Sequence, residues 1–232
     1  LDAGAGTISG QIASLSMVAL FSSRNPAPVL SALSPTSVTA GAAGMTLLVL
    51  GSGFTADSIV RWNGLDRPTT FINAGQLSAA LAGADIAAAG SDAVTVFNPA
   101  PGGGTSAPAA FTVNNPAPTL ASLSPSSVLA ASAGFTLTVN GSGFNGASVV
   151  NWNGSARMTS LISPSQLTAE VSAADVAAAG SAGVSVFNPA PGGGTSGSIS
   201  FLINNPVPAI VSLSPSSATA GGLGFTLTVN GS

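Results

Sequence analysis

The chain has 232 residues and a net charge of -3; 45% of its residues are hydrophobic and only 5% are charged, against roughly a quarter in soluble domains. All four basic residues are arginine, and histidine and cysteine are absent. This composition excludes charge-driven disorder, a basic nucleic-acid surface, disulfides, thiolate and imidazole metal sites, and Ser-His-Asp or Cys-His catalysis, so it favours a structural or binding protein over an enzyme.

Residues 1–24 make up an N-terminal segment whose most apolar stretch is Ile8–Phe21. Serine, glycine and glutamine interrupt this stretch, and it is shorter than the roughly 20 apolar residues that span a bilayer, so we expect no membrane insertion. No basic region precedes it, which is unlike a signal peptide. We predict a strand of a preceding or neighbouring domain, with one face lined by Met17, Ala19 and Phe21 or by Val18 and Leu20.

A repeat of 90 residues organises the rest of the chain. Asn-Pro-Ala-Pro at Asn25–Pro28 returns at Asn115–Pro118, and Asn-Pro-Val-Pro follows at Asn205–Pro208. This period is too long for a solenoid unit and suits a small sandwich domain. The third copy is short, so we expect the chain to be a window on a longer array or to be completed by another subunit. We predict two domains and a partial third repeat, at residues 25–114, 115–204 and 205–232.

Within each repeat the hydrophobic pattern indicates short strands. Phe135, Leu137 and Val139 alternate with polar residues, which is the period of a half-buried strand. One helical turn is expected over Ala174–Gly180, with Asp175 bonding free amides near its start. About seven short strands per repeat, separated by Gly and Pro turns, predict an all-β fold of antiparallel sandwiches. The other strands predicted in the second repeat are 148–152, 166–171, 183–187 and 198–203.

Motifs of the second repeat resemble the IPT/TIG family. Pro-x-Leu-x-x-Leu-Ser-Pro-x-Ser at Pro118–Ser127 is followed by Gly-Phe-Thr-Leu-Thr-Val-Asn-Gly-Ser-Gly-Phe at Gly134–Phe144. Val-Asn-Trp-Asn-Gly at Val150–Gly154, Gln-Leu-Thr-Ala at Gln166–Ala169, and the closing Val-Ser-Val-Phe-Asn-Pro-Ala-Pro-Gly-Gly-Gly at Val184–Gly194 complete the pattern. The resemblance implies tandem immunoglobulin-like domains of the kind that bacteria carry in secreted or surface proteins, and hence an extracellular or cell-surface location.

The resemblance is more specific for the fold than for the function, because the family includes spacers, adhesion modules and companions of carbohydrate-active enzymes. Three functions remain open: a stiff rod or self-assembling filament, a surface adhesin or carbohydrate-binding array, and a spacer attached to an enzyme elsewhere. We favour the first. The junctions Val113–Pro118 and Ile203–Pro208 are short and proline-rich, and the weakly charged surface gives little repulsion between copies. The expected partners are copies of the chain itself, or a surface glycan or the cell wall.

The residues that could bind sugars or metals, catalyse a reaction or carry a glycan are better explained by structural roles. Trp62 and Trp152 could stack on sugars, but their spacing from neighbouring apolar residues indicates core positions. Most acidic residues are absent from the sister repeat, so we expect no catalytic pair, metal or other cofactor. Asn-Gly at Asn140, Asn153 and Asn230 favours tight turns over glycosylation. The inward residues predicted around Trp62 are Met45, Leu47, Val49, Val94, Val96 and Phe111.

Two candidate assembly surfaces follow from the strand pattern. The first is the outward face of the strand containing Leu48 and Leu50, where the second repeat carries Thr138 and Asn140. The second is the apolar face of the partial third repeat, which a strand donated by residues 7–22 of another copy could cover. That face is formed by Phe225, Leu227 and Val229.

Overall fold

The computed structural model describes residues 24–232. The predicted N-terminal strand, with Met17, Val18, Leu20 and Phe21, lies outside the described residues. Contacts divide the chain between Asn114 and Asn115 into two compact units. Each unit contains one complete sandwich, so the predicted all-β, immunoglobulin-like fold is confirmed.

The first domain is a sandwich of two sheets. One sheet has the order β1-β3-β7-β6; the other has the order β2-β10-β8-β4-β5, with β9 paired to β8. Neighbouring strands are antiparallel except for β2, which pairs in parallel with β10. The strands are β1 Val29–Ser34, β2 Ser37–Thr39, β3 Met45–Ser52, β4 Ile59–Trp62, β5 Leu65–Asp66, β6 Thr69–Asn73, β7 Gln76–Leu81, β8 Gly90–Asn98, β9 Gly104–Thr105 and β10 Ala109–Asn114.

The second domain repeats this topology strand for strand, because it repeats the sequence. Its sheets have the orders β11-β13-β17-β16 and β12-β20-β18-β14-β15, with β19 paired to β18. A separate hairpin follows, β21 Ile210–Ser214 with β22 Thr228–Gly231. The strands of the second domain are β11 Thr119–Ser124, β12 Ser127–Leu129, β13 Phe135–Ser142, β14 Val149–Trp152, β15 Ser155–Ala156, β16 Thr159–Ser163, β17 Gln166–Val171, β18 Gly180–Asn188, β19 Gly194–Thr195 and β20 Ile199–Asn204.

Each domain therefore has three short strands, of two or three residues, beyond the seven expected from the alternation. Strands this short carry no readable period, so only pairing with their neighbours defines them. The β4–β5 hairpin closes through Asn63 and Gly64, both with positive φ (49° and 82°), as a two-residue turn of the type that Asn-Gly favours.

The predicted turns at Asn140 and Asn230 are wrong, whereas the one at Asn153 is confirmed. Asn140-Gly141 lies inside β13, opposite a bulge in β11. A Cβ atom at Gly141 would collide with the carbonyl oxygen of Thr119, so this glycine permits a close approach of two strands rather than a turn.

The cores lie between the sheets and are centred on the tryptophans, as predicted. Trp62 packs edge-on against Phe111 with ring centroids 5.2 Å apart, and Trp152 packs against Phe201 at 5.0 Å. Both indoles are buried, and of the predicted inward residues only Met45 is partly exposed. The fully buried residues of the first core are Leu47, Val49, Val60, Leu77, Ile86, Val94, Val96, Phe111 and Val113.

The predicted helical turn is shorter than expected. It is a 3-10 helix at Ala173–Val176, matched by Gly83–Ile86 in the first domain. Gly180 does not end it but begins β18. Val176, the last residue of the turn, is buried in the core, and the following alanines connect it to the next strand.

Candidate assembly surfaces

In the hairpin of the third repeat, β21 pairs with β22 in the same register as β1 with β3 and β11 with β13 in the complete domains. Leu213 pairs with Val229 and Ser214 with Thr228, as Leu123 pairs with Val139 and Ser124 with Thr138. Even the bulge recurs at the same place. Residues 210–231 therefore already have the local structure of the first strands of a sandwich.

The apolar side chains of this hairpin are uncovered in the described part of the chain. Leu227 and Val229 are 49% and 53% exposed, whereas their counterparts Leu137 and Val139 are fully buried. Phe225 is 56% exposed, although Phe135 packs against the second core. These are the three third-repeat residues singled out from the sequence, and all three are exposed in the described part of the chain.

A missing strand accompanies this exposure. In the complete domains, residues 37–39 and 127–129 form β2 and β12 by parallel pairing with β10 and β20. The equivalent residues 217–219 have a closely similar sequence, yet they form no strand. Strand formation at this position thus depends on a partner, and the described residues of the third repeat do not provide one.

Leu48 and Leu50 lie on the outer face of the four-stranded sheet of the first domain, opposite to the buried Leu47 and Val49. Leu48 pairs with Ser34 and Ser78 on its two neighbouring strands. These strands cover part of each side chain, so both leucines are half-buried rather than fully exposed. The outward position predicted for Leu48 and Leu50 from the strand pattern is therefore correct. Their role in assembly stays a prediction.

The same face of the second domain is a polar network. Asn140 donates to Ser122 Oγ at 3.2 Å and accepts from Gln166 Nε2 at 3.0 Å. Beside it, Thr136 donates to Glu170 Oε1 at 2.9 Å. The two domains therefore share a fold but present different surfaces on this sheet.

Comparison with known families identifies this architecture. The IPT/TIG domain profile matches residues 28–113 and 118–203, well over half of the chain. The chain belongs to the IPT/TIG family. Its two complete sandwiches are tandem IPT/TIG domains, and each match ends on the last strand of one of them.

Solved structures match the chain at low sequence identity. A bacterial ice-binding adhesin of 1.5 MDa is 21% identical (TM-score 0.35; 79% of this chain and 65% of that one), and a crystal structure with xylogluco-oligosaccharide is 16% identical (TM-score 0.45; 81% and 43%). The plexin A4 extracellular region is 18% identical (TM-score 0.31), with 81% of this chain covering 16% of that one. The chain thus spans less than two thirds of these proteins. No curated protein sequence matches it.

Arg61, Arg67 and Arg157 of the IPT/TIG domains each form an ion pair with an aspartate. Arg67 holds both oxygens of Asp85, with Nε–Oδ2 at 3.0 Å and Nη2–Oδ1 at 2.6 Å, and Arg157 pairs with Asp175. The hydrogen bond from Arg67 keeps the pKa of Asp85 below its ordinary value despite burial. Burial raises the pKa of Asp175, but hydrogen bonds from Ser172 and Arg157 outweigh it, so that pKa is also lowered. Within residues 24–232 no three acidic side chains gather into a metal-binding group.

A buried asparagine is the structural centre that sequence reasoning missed. Asn188 is fully buried, donates to the carbonyl oxygens of Pro116 (2.8 Å) and Gly143 (2.7 Å), and accepts from Ser148 at 2.6 Å. It joins the end of β18 to the start of the domain and to the β13–β14 loop. The recurrence of Phe-Asn-Pro at residues 97–99 and 187–189 is the signal that could have revealed it, since Asn98 makes the same three bonds.

Proposed function

We propose that the chain is a non-enzymatic structural protein that assembles with copies of itself outside the cell or at the cell surface. The main observation is the hairpin of the third repeat, whose Leu227 and Val229 are uncovered although the equivalent residues are buried in both complete domains. Exposed strand edges and apolar sheet faces favour association with further strands. A second copy of the chain is the partner that we propose.

The donor that we propose is the N-terminal segment, residues 7–22, of a neighbouring copy. In sequence, residues 16–24 align with residues 106–114, so Phe21 corresponds to Phe111 of β10. Phe111 is fully buried, and β10 is the partner that β2 needs in order to form. A donated strand in this place would give residues 217–219 their missing partner.

Strand donation would join copies head to tail. Such a contact uses different surfaces of the two copies, so it continues as an open filament rather than closing as a dimer. We expect the short proline-rich junctions to make this filament stiff.

Other sequence-based interpretations receive less support. Both tryptophans are buried, which removes the obvious aromatic platforms for a sugar ring. The pKa values of Asp85 and Asp175 are lowered by hydrogen bonds from arginine and serine, whereas the general acid of a glycoside hydrolase has a raised pKa. Within the described residues no helix is long and apolar enough to cross a membrane.

Electron microscopy of the purified 232-residue chain tests the proposal. We expect filaments from the unmodified chain and none from a chain lacking residues 1–22 or from Phe225→Ser/Leu227→Ser/Val229→Ser. The control is Leu65→Ser/Met158→Ser, which replaces exposed apolar residues outside these surfaces and should leave filaments intact. Normal filaments after deletion of residues 1–22 would reject strand donation, and a monodisperse unmodified chain would reject self-assembly.

A further inference from the structure

We propose that Asn145 of the second IPT/TIG domain is a modification site, at which spontaneous deamidation converts the side-chain amide into a carboxylate. The modification loosens the attachment of Asn115, the first residue of that domain. This inference goes beyond the proposed function and does not depend on self-association. The reaction adds a negative charge to a chain whose net charge is only -3.

Deamidation of an asparagine uses the backbone nitrogen of the next residue as the nucleophile. This nitrogen forms a bond to Cγ, the bond between Cγ and the side-chain nitrogen breaks, and ammonia leaves with the proton that the backbone nitrogen loses. Water then opens the five-membered imide ring and gives aspartate or isoaspartate. Glycine is the most favourable next residue, because it has no Cβ atom to hinder the approach and its backbone rotates freely.

Four of the five Asn-Gly dipeptides are held by strand pairing. Gly141 and Gly231 lie inside β13 and β22, and the Gly141 N–H donates to the carbonyl oxygen of Ser165 at 2.9 Å. Asn63 and Asn153 have positive φ in the two-residue turns that close β4–β5 and β14–β15. An imide ring fixes the backbone rotation of its asparagine, so ring formation at these places requires the pairing to open. The five dipeptides begin at Asn63, Asn140, Asn145, Asn153 and Asn230.

Asn145-Gly146 lies in the loop between β13 and β14, outside any strand. Gly146 is exposed, and its backbone N–H makes no hydrogen bond to another of residues 24–232. The N–H of Ala147 donates to Asn145 Oδ1 at 2.8 Å. This donor stabilises the negative charge that develops on Oδ1 when Cγ is attacked. The nucleophile is therefore free and the carbonyl group is polarised.

The side chain of Asn145 helps to fasten the start of the second domain. Its Nδ2 donates to Asn115 Oδ1 at 3.0 Å. Asn115 itself donates from Nδ2 to the carbonyl oxygen of Pro189 at 2.8 Å. The backbone of Asn115 donates to Pro191 at 2.7 Å and accepts from Gly193 at 2.9 Å. The contact with Asn145 is thus one of four hydrogen bonds that hold this residue.

Deamidation removes this contact and leaves the other three. An oxygen of the new carboxylate takes the place of Nδ2 and faces Asn115 Oδ1, which is also an acceptor, so no proton lies between them. Asn115 cannot reverse its amide to donate instead, because its nitrogen is engaged by Pro189. We therefore expect a folded second domain whose first residue is less firmly attached.

The first domain provides a matched reference. Asn25 makes the same three bonds to its own loop as Asn115 does. In place of Asn145-Gly146 it has Thr55-Ala56, which has no amide to lose. The alanine also supplies a control substitution. A Cβ atom at Gly146 would meet no other group within 4 Å, so Gly146→Ala fits the loop while it hinders ring formation.

Incubation of the purified full chain at neutral and alkaline pH, followed by peptide mapping with mass spectrometry, tests the modification. We expect Asn145 to convert at least about tenfold faster than Asn140 or Asn153. The rate should rise with pH, because the backbone nitrogen attacks after it loses its proton. Gly146→Ala should slow conversion at Asn145 at least about tenfold and leave the other sites unchanged.

Hydrogen exchange of the backbone amides tests the consequence. In the deamidated chain and in Asn145→Asp, we expect the amides of Asn115 and Gly193 to exchange at least about threefold faster than in the unmodified chain. The matching amides of Asn25 and Gly103 should be unchanged.

Three results would overturn the proposal. Conversion at Asn153 as fast as at Asn145 would mean that strand pairing does not select the site. If Asn145 stays intact while an unfolded peptide of the same sequence converts, the loop protects it. Unchanged exchange at Asn115 in Asn145→Asp would refute the loosening. Far-ultraviolet circular dichroism checks folding, and Asn145→Thr replaces Gly146→Ala as the unmodifiable control if that variant fails to fold.

Discussion

The Ser172 hydroxyl donates a hydrogen bond of 2.7 Å to Asp175 Oδ2, and this bond distinguishes two otherwise matching ion pairs. The first domain has Ala82 at this position, and there Arg67 holds both carboxylate oxygens of its aspartate. In the second domain Arg157 reaches only Oδ1, and its buried Nε has no partner among residues 24–232. One hydroxyl group thus converts a two-bond ion pair into a one-bond pair.

Arg67→Lys should therefore destabilise its domain more than Arg157→Lys does. Lysine cannot bond both carboxylate oxygens in the planar geometry of a guanidinium. We expect a loss of about 1–3 kcal/mol for Arg67→Lys and about 1 kcal/mol or less for Arg157→Lys. Urea unfolding reports each domain separately if the tryptophan of the other is replaced by phenylalanine. Ser172→Ala should raise the cost of Arg157→Lys; equal costs in all backgrounds would contradict this account.

The same ion pairs predict a loss of stability in acid. The pKa of Asp85 and that of Asp175 are lowered in the folded protein, so their charged forms stabilise it above the unfolded pKa of 3.8. This contribution is lost as the pH falls below 3.8 through the lower folded pKa values. We expect the urea midpoint of the first domain to fall below about pH 4, and to fall less in Asp85→Asn. Identical pH profiles would exclude Asp85 as the source.

Asn188→Asp should unfold the second domain selectively. The amide nitrogen of Asn188 donates to two backbone carbonyls, and a carboxylate in its place would face both oxygens with no proton to share. We expect a loss of about 3–5 kcal/mol, as for an uncompensated buried charge. The control is Asn140→Asp on the outer face, which removes the amide donor to Ser122 and should cost about 1 kcal/mol or less. Trp152 fluorescence in urea measures both losses. A loss for Asn188→Asp as small as that for Asn140→Asp would show that the buried amide network is unimportant.

Trp152→Ala should cost the second domain about 3–5 kcal/mol, because it leaves a large cavity beside Phe201. Trp62→Ala should do the same in the first domain and leave the second unchanged. Hydrogen exchange of the backbone amides distinguishes the two domains in one sample. A loss of protection in neither domain would mean that the indoles do not carry the cores.

The sequence by itself determined the fold class and the core. The 90-residue repeat revealed two sandwiches, and the two-residue alternation around Leu47 and Val49 correctly assigned their inner faces. These features are local, because strand period and repetition are visible in a single chain. The family resemblance rested on the same motifs, and the IPT/TIG match at residues 28–113 and 118–203 confirmed it.

The tertiary structure alone decided what depends on partners distant in sequence. From the sequence alone Asn188 resembles a loop residue, because its three hydrogen-bond partners lie up to 72 residues away in the chain. The dipeptide Asn140-Gly141 has the sequence of a turn, but it lies in a strand because it pairs with β11. Residues 217–219 have the sequence of a strand but lack the pairing that makes one. Backbone hydrogen bonds between strands are non-local. The sequence therefore shows which segments are able to form a strand, but the pairing partner decides whether they do.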